Sequence, residues 1–313
     1  MYSSTKNIAP LWVSFVTFGP CFMNKKFISW AIFILLCFIW GSSFAVMVVA
    51  KEGLTPVQIA ALRIFSAGLV FIPFAIFNIS KLPKAKLPIV IALGLFGNLF
   101  PAFLFAFAVS KMDSSLVGIL NSLTPICVVT LGIIIFRDKI QSQKVLGVFV
   151  GFVGLCLLTL TQKDVSLSNL GYASLAVIGA ISYGLNVNIF SHYLKGFNPV
   201  HTSSVALAFM TIPAGVVLWW SGYFALDFTD SVVQLSSVAT ILLGIVASSI
   251  ATVLFYMLVQ KSSALFASLV TYGIPFVALF WGILRHEPVT WIEIGCLCII
   301  LSGVYLANRT KKT

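Results

Sequence analysis

Charge is what this sequence has least of. Of 313 residues only 9% are charged, and only eight are Asp or Glu. A soluble domain carries about 25% charged residues. With 60% hydrophobic residues and a mean hydropathy of +1.08, too few polar groups remain to cover a water-facing surface. That excludes soluble enzymes, nucleic-acid modules and disordered proteins. CxxC and zinc-ligand spacings are also lacking. The six cysteines, at 21, 37, 127, 156, 296 and 298, lie in or beside apolar stretches and read as small packing residues. There is no HExxH, no GxSxG and no cluster of His and acids at one depth, which argues against a membrane-embedded enzyme. No cofactor or metal is expected.

What is present is a series of apolar runs. They mark ten spans, roughly 28–50, 57–79, 87–110, 114–136, 145–162, 170–190, 200–220, 235–259, 262–284 and 289–308. A helix needs about 20 apolar residues to cross the hydrocarbon core, and spans must be helical because lipid cannot satisfy open backbone groups. The fold expectation is an all-α polytopic membrane protein. Connections are short and leave no room for a soluble output domain, so a sensor or scaffold fits poorly. Residues 1–26 read as a leader or an upstream start, with Met23-Asn24-Lys25-Lys26 as the alternative beginning.

The net charge of +11 sets orientation rather than nucleic-acid binding, because Lys and Arg lie almost entirely between the apolar runs. With the start of span 1 in the cytoplasm, that side receives Lys25, Lys26, Lys81, Lys84, Lys86, Arg137, Lys139, Lys144, Lys195, Lys261, Arg309, Lys311 and Lys312. The other side receives Lys51, Lys111, Lys163 and Arg285. Both ends are therefore expected inside, with 309–313 as a basic cytoplasmic tail.

The two halves of the chain repeat each other. At an offset of 143, Gly53-Leu54-Thr55-Pro56-Val57 meets Gly196-Phe197-Asn198-Pro199-Val200, and Trp40-Gly41 meets Tyr183-Gly184. At an offset of 150, Leu93-Gly94 meets Leu243-Gly244, Leu104-Phe105 meets Leu254-Phe255, Lys111 meets Lys261 and Pro125 meets Pro275. Residues 28–162 and 169–308 thus form two five-span repeats. Five is odd, so the second repeat enters the membrane from the opposite side. The connection after span 2 carries Lys81, Lys84 and Lys86; its counterpart after span 7 carries Asp227 and Asp230. Inverted repeats are typical of secondary transporters, which exchange two similar shapes around a midplane site.

This layout, with Trp40-Gly41-Ser42-Ser43-Phe44 in span 1, the Pro56 to Arg63 spacing and the Pro125 and Pro275 helices, resembles the EamA-type family of the drug/metabolite transporter superfamily. The resemblance covers about residues 28–308. It implies a carrier in the bacterial inner membrane, often an exporter of amino acids or other small metabolites, with a cavity between the halves. A drug carrier or a nucleotide- or sugar-type metabolite carrier of the same superfamily is the alternative, and a channel is the rival of another class.

Intramembrane polar groups mark the expected site, since they are costly in lipid and often functional. Ser43 aligns with Asn186, Asn98 with Ser248 and Asn121 with Thr271, each pair at one level of the two halves. Trp40, Tyr183, Tyr256 and Tyr272 could supply aromatic walls. These ten residues are the expected substrate-binding set; helix-to-helix hydrogen bonding is their competing role. Arg63 is the basic residue within a span, placed to hold a substrate carboxylate or a gate, or to pair with Glu52. Glu52 and Glu293 are the acids that could serve a gate or coupling. Pro125 and Pro275 would kink their helices and act as hinges. With no acid at a span centre, facilitated efflux or exchange is favoured over a midplane proton carrier. Gly147, Gly151 and Gly154 in span 5, with Gly295 and Gly303 in span 10, permit close contact between the last helices of the repeats or across a homodimer.

Overall fold

The computed structural model describes residues 25–112, 114–160, 170–284 and 290–309; the expected leader lies outside them. Among these residues the chain is helical throughout, with no strand. Ten helical segments follow in order: α1 (Lys25–Gly53), α2 (Pro56–Asn78), α3 (Lys84–Lys111), α4 (114–134), α5 (Ser142–Leu160), α6 (Ala173–Leu194), α7 (Pro199–Trp220), α8 (Ser231–Lys261), α9 (264–284) and α10 (Trp291–Asn308). Eight are long and apolar enough to cross a membrane; α4 and α5 carry the shorter apolar helices Thr124–Ile134 and Ser142–Leu158. The protein is thus a multi-pass membrane protein.

The repeated Thr-Pro and Asn-Pro steps are helix starts. Thr55 caps α2, accepting from the Gln58 amide, and Asn198 caps α7, accepting from the Val200 amide at 2.8 Å. In both, Pro fills the first helical position, where no amide hydrogen is needed. Asp230 caps α8 in the same way. In the preceding loop, hydrogen bonds from the Thr229 hydroxyl and amide hold the exposed Asp227 carboxyl below the usual carboxylate range.

Packing follows the repeat. The most extensive contacts are α2 with α7 and α5 with α10, corresponding helices of the two halves. Many other contacts come in exchange pairs: α1 with α8 and α6 with α3, α1 with α9 and α6 with α4, α2 with α8 and α7 with α3. The molecule therefore has an approximate two-fold axis. Close approach along the α5–α10 seam depends on glycine. A Cβ on Gly303 would lie 2.3 Å from the Gly151 amide nitrogen, and one on Gly147 2.3 Å from that of Ala307. These glycines join the last helices of the repeats, as their spacing allowed; Gly295 has open space beside it.

Two kinds of irregularity interrupt the helices. α4 breaks between Ser114–Asn121 and Thr124–Ile134, and α9 between Ala264–Ser268 and Val270–Leu284. α3 opens into a π-helical stretch at Leu95–Leu99, α8 at Leu243–Ile250, and α6 ends in one at Phe190–Leu194. The 150-residue offset places the α3 stretch within the α8 stretch. A widened turn exposes backbone and recurs at functional sites.

Candidate functional site

The interrupted helices surround a cavity of about 120 Å³. On this measure a water needs roughly 10–15 Å³, so the space admits a small metabolite or several waters. Its walls come from α1, α2, α3, α4, α6, α8 and α9, while α5, α7 and α10 contribute no lining residue. Both halves contribute, which is the position that the paired polar residues of the sequence required.

All three aligned pairs line this cavity: Ser43 and Asn186, Asn98 and Ser248, Asn121 and Thr271. Trp40, Tyr183 and Tyr256 line it too. Tyr272 does not. It is fully buried between α9 and α5, where its hydroxyl donates to the Val148 carbonyl at 2.9 Å and its ring lies on Gly151. One residue along a helix turns a side chain by about 100°, which separates Tyr272 from its cavity-facing neighbour Thr271.

Polar groups in the walls are largely committed to each other. The Trp40 indole donates to the Ala247 carbonyl at 3.0 Å, within the π-helical stretch of α8. The Tyr256 hydroxyl donates to Asn186 Oδ1 at 2.9 Å. The Thr252 hydroxyl lies 3.3 Å from Asn98 Oδ1 and donates to the Ser248 carbonyl. The other amide atom of Asn98, Nδ2, is buried without a protein partner. Thr124 and Thr271 bond back to Asn121 and Ser268 carbonyls one turn earlier.

Arg63 reaches this chamber from α2. Its Nε donates to Ser248 Oγ at 2.8 Å, and Tyr183 is close enough to interact with it electrostatically. Among the described residues no carboxylate pairs with it and its terminal Nη groups have no hydrogen-bond partner. The pairing with Glu52 that the sequence allowed is not formed; Glu52 is exposed at the end of α1. Glu293 is also away from the cavity. It completes a capping box at the start of α10, accepting from the Thr290 amide at 2.7 Å and hydroxyl at 3.0 Å while Thr290 caps the Glu293 amide.

The prolines flank the site unequally. Pro125 is buried at the start of the second piece of α4, directly after the break. Pro275 lies within the second piece of α9, six residues beyond the break at Leu269.

Several wall residues were not singled out by the sequence. Phe105 stacks on Tyr183 with ring centres 5.7 Å apart, and Phe255 lies 5.5 Å from Trp40. The repeated Leu104-Phe105 and Leu254-Phe255 steps were their signal. Thr124, Thr252 and Ser268 also line the cavity and carried no such mark.

The family model of the EamA-like transporters matches residues 28–160 and 170–309, one copy on each half. The chain belongs to the EamA-like transporter family. It is therefore a membrane transporter built from two repeats. An uncharacterized transporter of Archaeoglobus fulgidus is 27% identical over 289 residues, covering 90% of this chain and 99% of that one. The uncharacterized inner membrane transporter YedA of Escherichia coli K12 is 25% identical over 289 residues, covering 88% and 89%. A WAT1-related chloroplastic protein of Arabidopsis thaliana is 24% identical over 298 residues, covering 90% and 70%. A crystal structure at 17% identity superposes with a TM-score of 0.64 over 88% of this chain and 96% of that one, which supports the fold.

Proposed function

We propose that this EamA-like transporter carries small polar metabolites across the bacterial inner membrane by alternating access, with the substrate held in the cavity between its halves. The observation that carries this reading is the cavity itself. It lies between the two halves, and three polar pairs matched between the repeats line it. A site placed there stays fixed while the halves rock about it. In this account all ten segments span, both ends are cytoplasmic and the repeats are inverted, as the Lys and Arg distribution favours.

The breaks in α4 and α9 and the prolines beside them are the hinges. The interrupted hydrogen-bond pattern there, and in the π-helical turns, can rearrange without breaking a continuous helix. Export is the direction that the resemblance implies. No acid lines the cavity among the described residues, which favours exchange or facilitated movement over a midplane proton carrier.

Counterflow in proteoliposomes tests the reading. Uptake of labelled metabolite that is accelerated by unlabelled metabolite on the far side, and reduced in Asn121→Ala, supports a carrier with its site in the cavity. Flux that far-side metabolite leaves unchanged would mark a channel.

A further inference from the structure

We infer that the cavity selects small organic carboxylates without an ammonium group over zwitterionic amino acids. This rests on the transporter reading and narrows the substrate class of the same site.

The first observation is charge. Among the described residues Arg63 is the sole charged group lining the cavity, and it lacks a counter-charge. A guanidinium taken out of water needs a partner, and its planar fork suits a carboxylate. A monoanion cancels this charge. A zwitterion supplies the same carboxylate and adds an ammonium that meets no acid in the walls, within reach of the guanidinium at low dielectric.

The second observation is the balance of hydrogen-bonding groups. Three wall acceptors that a substrate ammonium could use each already hold a hydrogen bond: the Ala247 carbonyl from Trp40, Asn186 Oδ1 from Tyr256, and the Ser248 carbonyl from Thr252. The Arg63 Nη groups and Asn98 Nδ2, by contrast, are donors without a protein partner among the described residues. Such a chamber accepts an acceptor-rich anion. The rings of Trp40, Phe105, Tyr183 and Phe255 leave apolar wall for the rest of the molecule.

Matched pairs isolate the ammonium: phenylpyruvate with phenylalanine, and 4-methyl-2-oxopentanoate with leucine. Each is assayed for counterflow in proteoliposomes and for its effect on thermal unfolding of the purified full-length protein. The oxo acids should exchange at least about tenfold faster than their amino-acid partners, because an unpaired buried charge costs more than the roughly 1.4 kcal/mol that is already tenfold. They alone should raise the unfolding temperature. Arg63→Gln should lose both effects and Arg63→Lys should keep part of each. Should Arg63→Gln not fold, the wild-type pairs still decide. Amino acids that exchange as fast as the oxo acids overturn the inference and leave the transporter reading intact. Oxo acids that raise the unfolding temperature while nothing exchanges support the anion site and overturn the transporter reading. If the oxo acids give no stabilisation and no exchange, the inference is overturned.

Discussion

Arg63 of α2 donates its Nε hydrogen to Ser248 Oγ of α8 at 2.8 Å, joining the two repeats across the cavity wall. The bond uses the inner nitrogen of the guanidinium and leaves its outer edge unpaired among the described residues. Ser248 lies in the π-helical stretch of α8 and aligns in the repeat with Asn98, which lies in that of α3. A polar group at this level is thus present in both halves, but the cation in one half alone, since the counterpart of Arg63 is Ala206.

Ser248→Ala removes the group that orients Arg63. Hydrogen bonds to charged groups contribute about 1.5–3 kcal/mol, so the apparent KM should rise by about tenfold or more. The maximal rate should change far less. Initial-rate transport measured across substrate concentrations checks this.

Tyr256→Phe removes the hydroxyl that binds Asn186 Oδ1 between α8 and α6. The ring should keep its place, stacked on Phe190 with centres 4.1 Å apart. The expected cost is about 1 kcal/mol of stability, read as a small fall in unfolding temperature.

Gly303→Val places side-chain atoms against the α5 backbone, where even a Cβ would lie 2.3 Å from Gly151 nitrogen. Overpacking typically costs about 1–3 kcal/mol, and backbone cannot yield as a side chain does. The yield of monodisperse protein should fall sharply, while Gly295→Ala, which meets open space, should behave as wild type.

Orientation has a direct check. In a cysteine-free background, Lys84→Cys at the start of α3 should react with an impermeant thiol reagent only from the cytoplasmic side. Asp227→Cys in the loop before α8 should react only from the other.

The membrane class, the segments and the two-repeat plan were legible because long apolar runs and a fixed offset survive as sequence pattern. So were Asn98, Asn121, Asn186 and their partners, because a polar side chain within an apolar run must find a polar place. Tyr272 was misplaced because an aromatic ring is equally at home in a wall and in a core, and only helix rotation separates it from Thr271. Glu293 looked like an intramembrane acid; the Thr290-to-Glu293 spacing was already a helix-start signature. The π-helical turns were invisible, since they arise from backbone hydrogen-bond geometry that no residue type announces. The break in α9 ahead of Pro275 was hidden for the same reason, because proline marked a position six residues farther on.

Solvent access to the cavity from each side tests the central claim most directly. Ser43→Cys in the cysteine-free protein places a thiol on the wall of the cavity. It is assayed with an impermeant thiol reagent in right-side-out and inside-out vesicles. Alternating access predicts reaction from both sides, with substrate or a locking ligand raising one rate while lowering the other. Reaction from one side alone under every condition, or from both sides with rates that never move in opposition, would contradict the account.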